Sequence, residues 1–413
     1  MTSLPPSLPD QHALRGVPGA SAANSAVSAV LADAARVAMV ADRLLSPVGD
    51  ARDELRQRLI DDGRIVRIAP TVPAPCSMAA VDGGQVKQTL YAADLIVVLA
   101  VAAEGMTSTG GTVGQSHWCE VVPHSTDNAV LAGTAMACHE LTVLNRLDHD
   151  LRLIDGSMTS QIITLSMALN VRSRAASHHI VELIDDEVLS AVWNLGSSEH
   201  RTHPGQIAAL PKSDTGDKFS GAFRSDYGLN LPGGDRFLAA SILDRGEMLY
   251  PRAMTEHSHL PTSIPQGVDD GLVERARSLA EALGPIRRMA EEQRLLATYI
   301  KPETADTVVK VEFCADEPLP VWESGDRQSV AFVQARDLGR RMSDETPGPH
   351  MQEPFAQYAV DLAAKQVSVA AEGLGQSMLQ HVPADAPYLP LLARSYRTAK
   401  GSMPSRRGSG PSA

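Results

Sequence analysis

Apolar residues recur along the chain with two different spacings, which predict alternating strands and helices. Short apolar runs at 78–81, 95–102 and 151–154 predict buried strands, and residues 88–94 predict a further strand. Apolar positions at helical spacing predict a helix over 128–148, and another follows at 160–169. This order of elements predicts an α/β fold, with a ribonuclease H-like mixed sheet flanked by helices, an order that many other α/β folds share.

An aspartate followed by glycine ends two of the predicted strands. Asp82 and two glycines follow the run at 78–81, and Asp155 and Gly156 follow the run at 151–154. Glycine after aspartate is typical of a tight turn, so each strand is expected to end at its acid.

Later residues add further elements to the same pattern. We expect strands at 207–210 and 307–313, and a helix at 235–243. A long helical pattern runs over 272–300 with an interruption near its middle, and a last amphipathic helix is expected at 355–379.

Composition and periodicity together divide the chain into four segments. Both ends are rich in proline, serine and glycine, which is typical of loose segments. Two helical patterns, at 27–45 and 50–61, precede the first predicted core strand. The predicted organisation is therefore an arm at 1–24, an N-terminal helical region at 25–75, a main domain at 76–400 and a tail at 401–413.

The net charge of −12 restricts how the protein can meet a nucleic acid. Neutralisation of phosphates supplies most non-specific affinity, so an acidic protein needs a local basic groove or a partner that delivers the strand. The four cysteines form no C-x-x-C pair, which argues against a zinc ribbon or a dithiol site. No apolar run approaches the ~20 residues of a membrane span, and no signal peptide is evident, so we expect a soluble cytoplasmic protein without membrane contact.

Glu140 stands out on the predicted helix at 128–148. Its neighbours at helical spacing are apolar, so its carboxylate lies on the stripe that should face the core. A buried carboxylate needs compensation by a basic side chain, a proton or a metal ion. A salt bridge to Arg146 or Arg152 is the simplest alternative to a metal role.

The three acids together favour a metal site. If the strands that end at Asp82 and Asp155 are adjacent and parallel, their carboxylates converge, although each could instead only form a turn. With Glu140 they would make a cluster that cannot remain fully ionised without a cation. Oxygen ligands of this type suit Mg²⁺ or Mn²⁺ rather than Zn²⁺. A lysine or arginine lodged permanently between the acids would contradict this hypothesis.

Three short motifs resemble those of the NurA nuclease family. They are Ala80-Val81-Asp82-Gly83-Gly84, His139-Glu140-Leu141 and Leu153-Ile154-Asp155-Gly156-Ser157. The resemblance implies a divalent-metal-dependent DNA nuclease that hydrolyses phosphodiester bonds at DNA ends. It further implies that Asp82, Glu140 and Asp155 are the catalytic and Mn²⁺- or Mg²⁺-binding residues. It also implies a homodimer that works with a hexameric HerA-type translocase, in DNA repair or in antiviral defence.

Two lysines are candidate contacts to nucleic acid. Lys212 follows the predicted strand at 207–210, where the family places a basic residue, and Lys365 lies on the last helix. That helix departs from the family because Ala364 stands where a functional histidine is usual. Asp361 or Lys365 could take over its role. Residues 216–306 fit the family poorly and are interpreted as an insertion.

Two other functions remain open from the sequence. The chain could be a catalytically weak or inactive scaffold subunit of a motor–nuclease complex, with cleavage lost together with the histidine. It could also be another ribonuclease H-like nuclease, such as a resolvase or an RNA-cleaving hydrolase, because the metal chemistry is the same at either sugar.

Overall fold

The computed structural model describes residues 27–68, 76–106, 111–197, 205–212, 218–228, 233–255, 270–320, 327–383 and 385–388. The predicted arm at 1–24 and tail at 401–413 lie outside the described residues. Of the described helices, none combines the length and the apolar content needed to cross a membrane.

Ten strands in the described part of the chain form one sheet in the order β1-β7-β9-β10-β6-β5-β2-β3-β4, with β8 paired to β9. They are β1 (Ile65–Arg67), β2 (Met78–Thr89), β3 (Asp94–Glu104), β4 (Thr112–Val122), β5 (Leu151–Asp155), β6 (Gln206–Leu210), β7 (Glu247–Leu249), β8 (Arg252–Ala253), β9 (Leu295–Lys301) and β10 (Val309–Cys314).

Helices cover both faces of this sheet. They are α1 (Ala34–Asp61), α2 (Asn128–Arg146), α3 (Ser160–Ala168), α4 (Arg174–Leu183), α5 (Asp186–Gly196), α6 (Lys218–Tyr227), α7 (Asp235–Ile242), α8 (Asp270–Ala282), α9 (Gly284–Glu291), α10 (Val330–Asp344), α11 (Phe355–Ala364) and α12 (Val367–His381).

The sheet separates two apolar cores, one on each of its faces. The larger core joins α2 to α5 and α7 to α9 to one face, and includes Val81, Ile154 and Leu141. The other core packs α10 and α11 on the opposite face, and includes Ala80 and Leu153. Because successive side chains of a strand point to opposite faces, a strand buried on both faces is apolar throughout, as the runs at 78–81 and 151–154 are.

The centre of the sheet is parallel and its flanks are antiparallel. Strand β5 pairs in parallel with β2 on one side and with β6 on the other, whereas β2–β3–β4 and β6–β10–β9–β7–β1 pair antiparallel. The predicted α/β fold with a mixed sheet flanked by helices is therefore confirmed.

The predicted turn after Asp82 is wrong. Strand β2 continues through Gly83 and Gly84 to Thr89 and stays paired with β3 over its whole length. Neither glycine has a positive φ. Both are instead places of close approach: a side-chain carbon on Gly83 would collide with Glu140, and one on Gly84 with the backbone of α11.

Several other predicted bounds are corrected by the structure. The two helical patterns at 27–45 and 50–61 are bridged by the continuous helix α1. The pattern at 272–300 separates into α8, α9 and the buried strand β9, because burial from both sides makes β9 apolar without alternation. The pattern at 355–379 divides into α11 and α12 at Lys365.

Part of the segment interpreted as an insertion, 216–306, belongs to the central sheet. Strands β7 and β9 lie within it, and β9 pairs directly with β10. The N-terminal region likewise contributes β1, which pairs with β7. Residues 256–269 of this segment lie outside the described residues.

Candidate metal centre

Asp82 and Asp155 lie on neighbouring parallel strands at the same level of the sheet. The register pairs Val81 of β2 with Ile154 of β5, so the next residue on each strand is the acid. Because successive side chains of a strand point to opposite faces of the sheet, the side chains of both acids lie on the face that α11 covers. The predicted convergence of the two carboxylates is therefore present, although β2 does not end at Asp82.

Glu140 reaches the same place from the opposite face of the sheet. It lies on α2 and is only 4% exposed. Its Oε1 atom passes over Gly83, where an added Cβ would lie 2.5 Å from that oxygen and 2.8 Å from Cγ of Met136. Gly83 thus leaves the gap through which the Glu140 carboxylate approaches the two aspartates.

The simpler alternative for Glu140, a buried salt bridge, is not what the structure shows. Arg146 forms a bidentate ion pair with Glu187, at 2.6 and 2.7 Å. The Arg152 guanidinium donates to backbone carbonyls, including that of Gly205 at 3.0 Å. Glu140 accepts a hydrogen bond from Gln161 Nε2 at 3.2 Å instead.

Burial makes the three acids costly to ionise together. Burial, together with the charges of Asp82 and Asp155, raises the pKa of Glu140 to about 8, against a weaker lowering by Gln161 and the Gly83 amide. Burial and the neighbouring Asp155 raise the pKa of Asp82 to about 7, although Lys212 and the Gly83 amide lower it. Near neutral pH, the site therefore retains protons that a cation would displace.

One carboxylate oxygen of Asp155, the Oδ1 atom, is buried without a hydrogen-bond partner among the described residues. A buried carboxylate oxygen without a donor is unfavourable unless a cation or a proton meets it. The donor set of two aspartates and one glutamate is also the kind that Mg²⁺ and Mn²⁺ prefer.

Lys212 occupies part of the space between the two aspartates. Its Nζ lies 3.0 Å from Asp155 Oδ2 and 3.8 Å from Asp82 Oδ2. It also contacts Asp361 Oδ1 at 2.6 Å and Glu353 Oε2 at 3.9 Å. Burial lowers the pKa of Lys212, but the hydrogen bond to Asp361 and the charges of Asp155 and Asp82 outweigh it and raise the pKa.

Within the described residues, no three His, Cys, Asp or Glu side chains stand in an arrangement ready to hold a metal ion. The contact between Lys212 and Asp155 is the arrangement that counts against a metal site. One ammonium group nevertheless does not neutralise the cluster, since Asp82 and Glu140 keep raised pKa values beside it. The lysine side chain is also 39% exposed, so water can replace its contacts when it moves.

Lys365 lies farther out than Lys212. Its ammonium contacts Asp361, and its side chain is 70% exposed. Ala364, at the position of the family histidine, is buried against β2 and places its carbonyl beside Gly84. Asp361 therefore contacts both lysines. Among the described residues, no histidine lines the open space beside the three acids.

An open cavity of about 620 Å³ gives access to the three acids. The same cavity is lined by Lys212 and by α3 residues that include Gln161 and Thr164. Its volume is within the range of small-molecule sites, and it is wide enough for a nucleotide unit of a longer strand.

Sequence reasoning missed two polar residues of this site. Gln161 joins Glu140 to the backbone carbonyl of Asp155, with Nε2 to O at 3.1 Å. Glu353 is half-buried near Lys212, and burial raises its pKa, as does the charge of Asp361. Gln161 had a detectable signal, because it is a polar residue on a short helix whose other buried positions are apolar.

No protein-family model matches the chain, and none of the curated proteins matches its sequence. Among solved structures, the NurA nuclease from Sulfolobus solfataricus matches with a TM-score of 0.50 at 12% identity, over 84% of this chain and 97% of that one. The chain has a NurA-like fold. A structure of NurA with manganese matches at TM-score 0.47 and 10% identity, over 84% and 99% of the two chains.

Endonuclease V from Bacillus subtilis is more distant, with a TM-score of 0.29 at 11% identity over 77% of this chain and 91% of that one. At such identities a likeness shows the fold alone. The NurA-like fold thus confirms the expected architecture, and the function has to be argued from the site.

Proposed function

We propose that the protein is a divalent-metal-dependent DNA nuclease. Asp82, Glu140 and Asp155 would hold Mn²⁺ or Mg²⁺ and are the proposed catalytic residues. The observation that carries this proposal is the convergence of three carboxylates on one open cavity, one of them with a buried oxygen to which no described residue donates a hydrogen bond. When bound, the ion supplies activation of a water molecule and stabilises the charge of the phosphodiester under attack.

The residues around the acids set their positions. Gln161 holds Glu140 and the Asp155 backbone together through one amide group. The Gly83 amide donates to Asp82 Oδ1 at 2.8 Å, which fixes the orientation of that carboxylate. Glu140 and Asp82 are therefore oriented by neutral donors, which leave their negative charge available to a cation, whereas the Asp155 carboxylate contacts the Lys212 ammonium.

Lys212 is proposed to exchange partners when metal and substrate bind. A divalent ion would compete with its ammonium for Asp155, while Asp361 would retain it at the cavity. A lysine held there can contact a phosphate of the strand, as lysines do in many phosphate sites. Lys365, which is more exposed and shares Asp361, would give a weaker contact of the same kind.

A partner would solve the problem posed by the acidity of the chain. We propose a homodimer that receives DNA ends from a hexameric HerA-type translocase, as the resemblance implies. The helical N-terminus supports a contact surface of this kind, since residues 27–43 are exposed throughout. Apolar side chains in this stretch are solvent-exposed, including Val30 at 73% and Val40 at 55%.

The contact between Lys212 and Asp155 favours a second candidate, an inactive scaffold subunit. In that case the lysine is the permanent counterion of the acids and the protein binds no catalytic metal. The scaffold would keep the contact to the motor and lose cleavage.

The deciding experiment incubates the full chain with end-labelled linear DNA and Mn²⁺, with and without the translocase. We expect cleavage that EDTA abolishes. Cleavage that persists in EDTA would exclude the metal mechanism. If cleavage is absent with the translocase present and Mn²⁺ does not bind, the scaffold function is correct. An end-labelled RNA strand in a parallel reaction tests the choice of sugar.

A further inference from the structure

Glu312 is a buried carboxylate outside the cavity that contacts the turn after Asp155. It lies on β10, between Ala209 of β6 and Ala297 of β9, and is 1% exposed. In the sequence Val309–Cys314 it alternates with apolar residues, a pattern typical of a half-exposed strand, although all six residues are buried. Lys310, two residues earlier on the same face of the strand, provides its counterion at 3.0 Å.

The second oxygen of Glu312 accepts two hydrogen bonds from one short segment. Ser157 Oγ donates to Oε2 at 2.6 Å, and the Met158 backbone amide donates to the same atom at 3.0 Å. Both donors lie within three residues of Asp155. A charge-assisted hydrogen bond is about twice as strong as a neutral one, so this carboxylate fixes the segment firmly to β10.

The fixed segment also starts the helix that carries Gln161. The Ser157 carbonyl accepts from the Ser160 amide at 3.0 Å and from Ser160 Oγ at 2.8 Å. Gly156 precedes it with a φ of 94°, a conformation that other residues rarely adopt. One tether at Ser157 and Met158 therefore determines where both Asp155 and Gln161 stand.

We propose that Glu312 is a positioning residue for the metal centre: it holds the 155–161 segment so that Asp155 and Glu140 meet at one cavity. This inference rests on the proposed function for the nature of the site. A buried carboxylate paired with lysine is an expensive way to stabilise a sheet, since apolar residues often do so equally well. Its two hydrogen bonds instead orient a single segment, and among the residues that the structure describes none donates a hydrogen bond to Asp155 Oδ1.

The chain contains a matched control for this proposal. Glu247 is also a buried glutamate of the same sheet, on β7, with 5% exposure. It pairs with Arg56 at 2.6 Å and accepts from the Asp244 amide at 2.7 Å. Its replacement removes a comparable buried ion pair from a part of the sheet that does not border the cavity.

The experiment compares Glu312→Ala, Glu312→Gln, Ser157→Ala and Glu247→Gln in the full chain, at a temperature at which all four are folded. The Mn²⁺ dissociation constant is measured by titration calorimetry. We expect Glu312→Ala to weaken Mn²⁺ binding by about 10- to 100-fold, the usual effect of losing a residue that orients a ligand. Glu312→Gln keeps an acceptor for the Met158 amide and should recover most of the Mn²⁺ affinity. Ser157→Ala should weaken Mn²⁺ binding less than Glu312→Ala does. Glu247→Gln should bind Mn²⁺ as tightly as the native protein.

Amide hydrogen exchange in EDTA separates this proposal from the proposed function. Glu312→Ala should speed exchange over 156–161 by roughly tenfold, and Glu247→Gln should leave it unchanged. If the native chain binds no Mn²⁺, the metal function fails, while exchange still decides whether Glu312 holds the segment. Unchanged exchange in Glu312→Ala overturns the positioning role. So does Mn²⁺ binding that falls equally in Glu312→Gln and Glu312→Ala, because charge alone would then explain the loss.

Discussion

Lys212 and Asp155 form an ion pair, with Nζ 3.0 Å from Oδ2, at the point where the proposed metal site needs a positive charge. The pair neutralises part of the acid cluster with a positive charge of the chain itself. Four carboxylates lie within ion-pair distance of two lysines here, those of Asp82, Asp155, Glu353 and Asp361, and Glu140 adds a fifth carboxylate to the cluster. A bound divalent ion would neutralise the negative charge that the two lysines leave unbalanced.

Replacing the competing lysine should separate metal binding from substrate binding. Lys212→Gln removes the ammonium from Asp155, so we expect Mn²⁺ to bind more tightly, on the order of fivefold. The KM for DNA should rise, because a phosphate contact is lost. Lys365→Gln, at a side chain that is 70% exposed, should change both quantities much less. Weaker Mn²⁺ binding in Lys212→Gln would contradict the competition.

Neutral replacements of the three acids should remove activity while leaving the fold intact. Asp82→Asn, Asp155→Asn and Glu140→Gln each delete a charge from the proposed ligand set. We expect Mn²⁺-dependent cleavage to fall by roughly 100-fold or more in each case. Circular dichroism should show an unchanged secondary structure.

Asp235→Asn is the control for these variants. Asp235 is buried, as Asp82 and Glu140 are, but it accepts hydrogen bonds from the amides of Phe219 and Ser220, away from the cavity. Its replacement should leave cleavage unchanged at a temperature at which it is folded. Full activity of any of the three acid variants would remove that residue from the proposed ligand set.

The buried acids should make the metal-free protein less stable as pH rises. The pKa of Glu140 is about 8 in the folded protein, against an ordinary value of 4.5. Below about pH 4.5 the Glu140 carboxyl is protonated in the folded and the unfolded state, so it does not change the free energy of unfolding. Between pH 4.5 and 8 the Glu140 carboxyl is ionised in the unfolded chain but keeps its proton in the folded one. The free energy of unfolding therefore falls as pH rises through this window.

Denaturation in EDTA at several pH values measures this effect. We expect the free energy of unfolding to fall by about 3 kcal/mol between pH 5 and pH 8. Glu140→Gln should fall less over the same interval, because its amide does not titrate. Saturating Mn²⁺ should restore stability at the upper end of the range by binding the folded state. Equal slopes for the native chain and Glu140→Gln would show that Glu140 is not the titrating group.

Gly83 should tolerate no side chain. In Gly83→Ala the new carbon would lie 2.5 Å from Glu140 Oε1, so the carboxylate must move. We expect a loss of about 1–3 kcal/mol in the free energy of unfolding, together with weaker Mn²⁺ binding. Gly221→Ala, in α6 with open space around it, should instead be neutral or stabilise by about 0.5–1 kcal/mol. Normal Mn²⁺ binding in Gly83→Ala would mean that Glu140 does not reach the site over this residue.

Local pattern was enough to predict the acids and most of the elements near them. Strand β5, helix α3 and helix α2 lie close to the expected ranges, because each has a clear period and ends at a recognisable residue. The parallel pairing of β2 with β5 was a condition for convergence of the two aspartates, and the structure meets that condition. Glu140 could be singled out because a charged residue interrupted an apolar stripe.

Features that depend on distant contacts could not be predicted in the same way. A glycine that makes room for Glu140 and a glycine that forms a turn look alike in a sequence, so the end of β2 was placed too early. The position of Lys212 depends on α11, which follows it by more than a hundred residues and supplies Asp361. Glu312 was missed because its donors, Ser157 and Met158, are far away in the chain.

Anomalous diffraction from crystals grown with Mn²⁺ would locate the ion relative to the three acids. We expect an anomalous peak within coordination distance of oxygens from Asp82, Glu140 and Asp155, with the Lys212 ammonium displaced from Asp155. No peak at saturating Mn²⁺, with Lys212 still paired to Asp155, would contradict the proposed metal site.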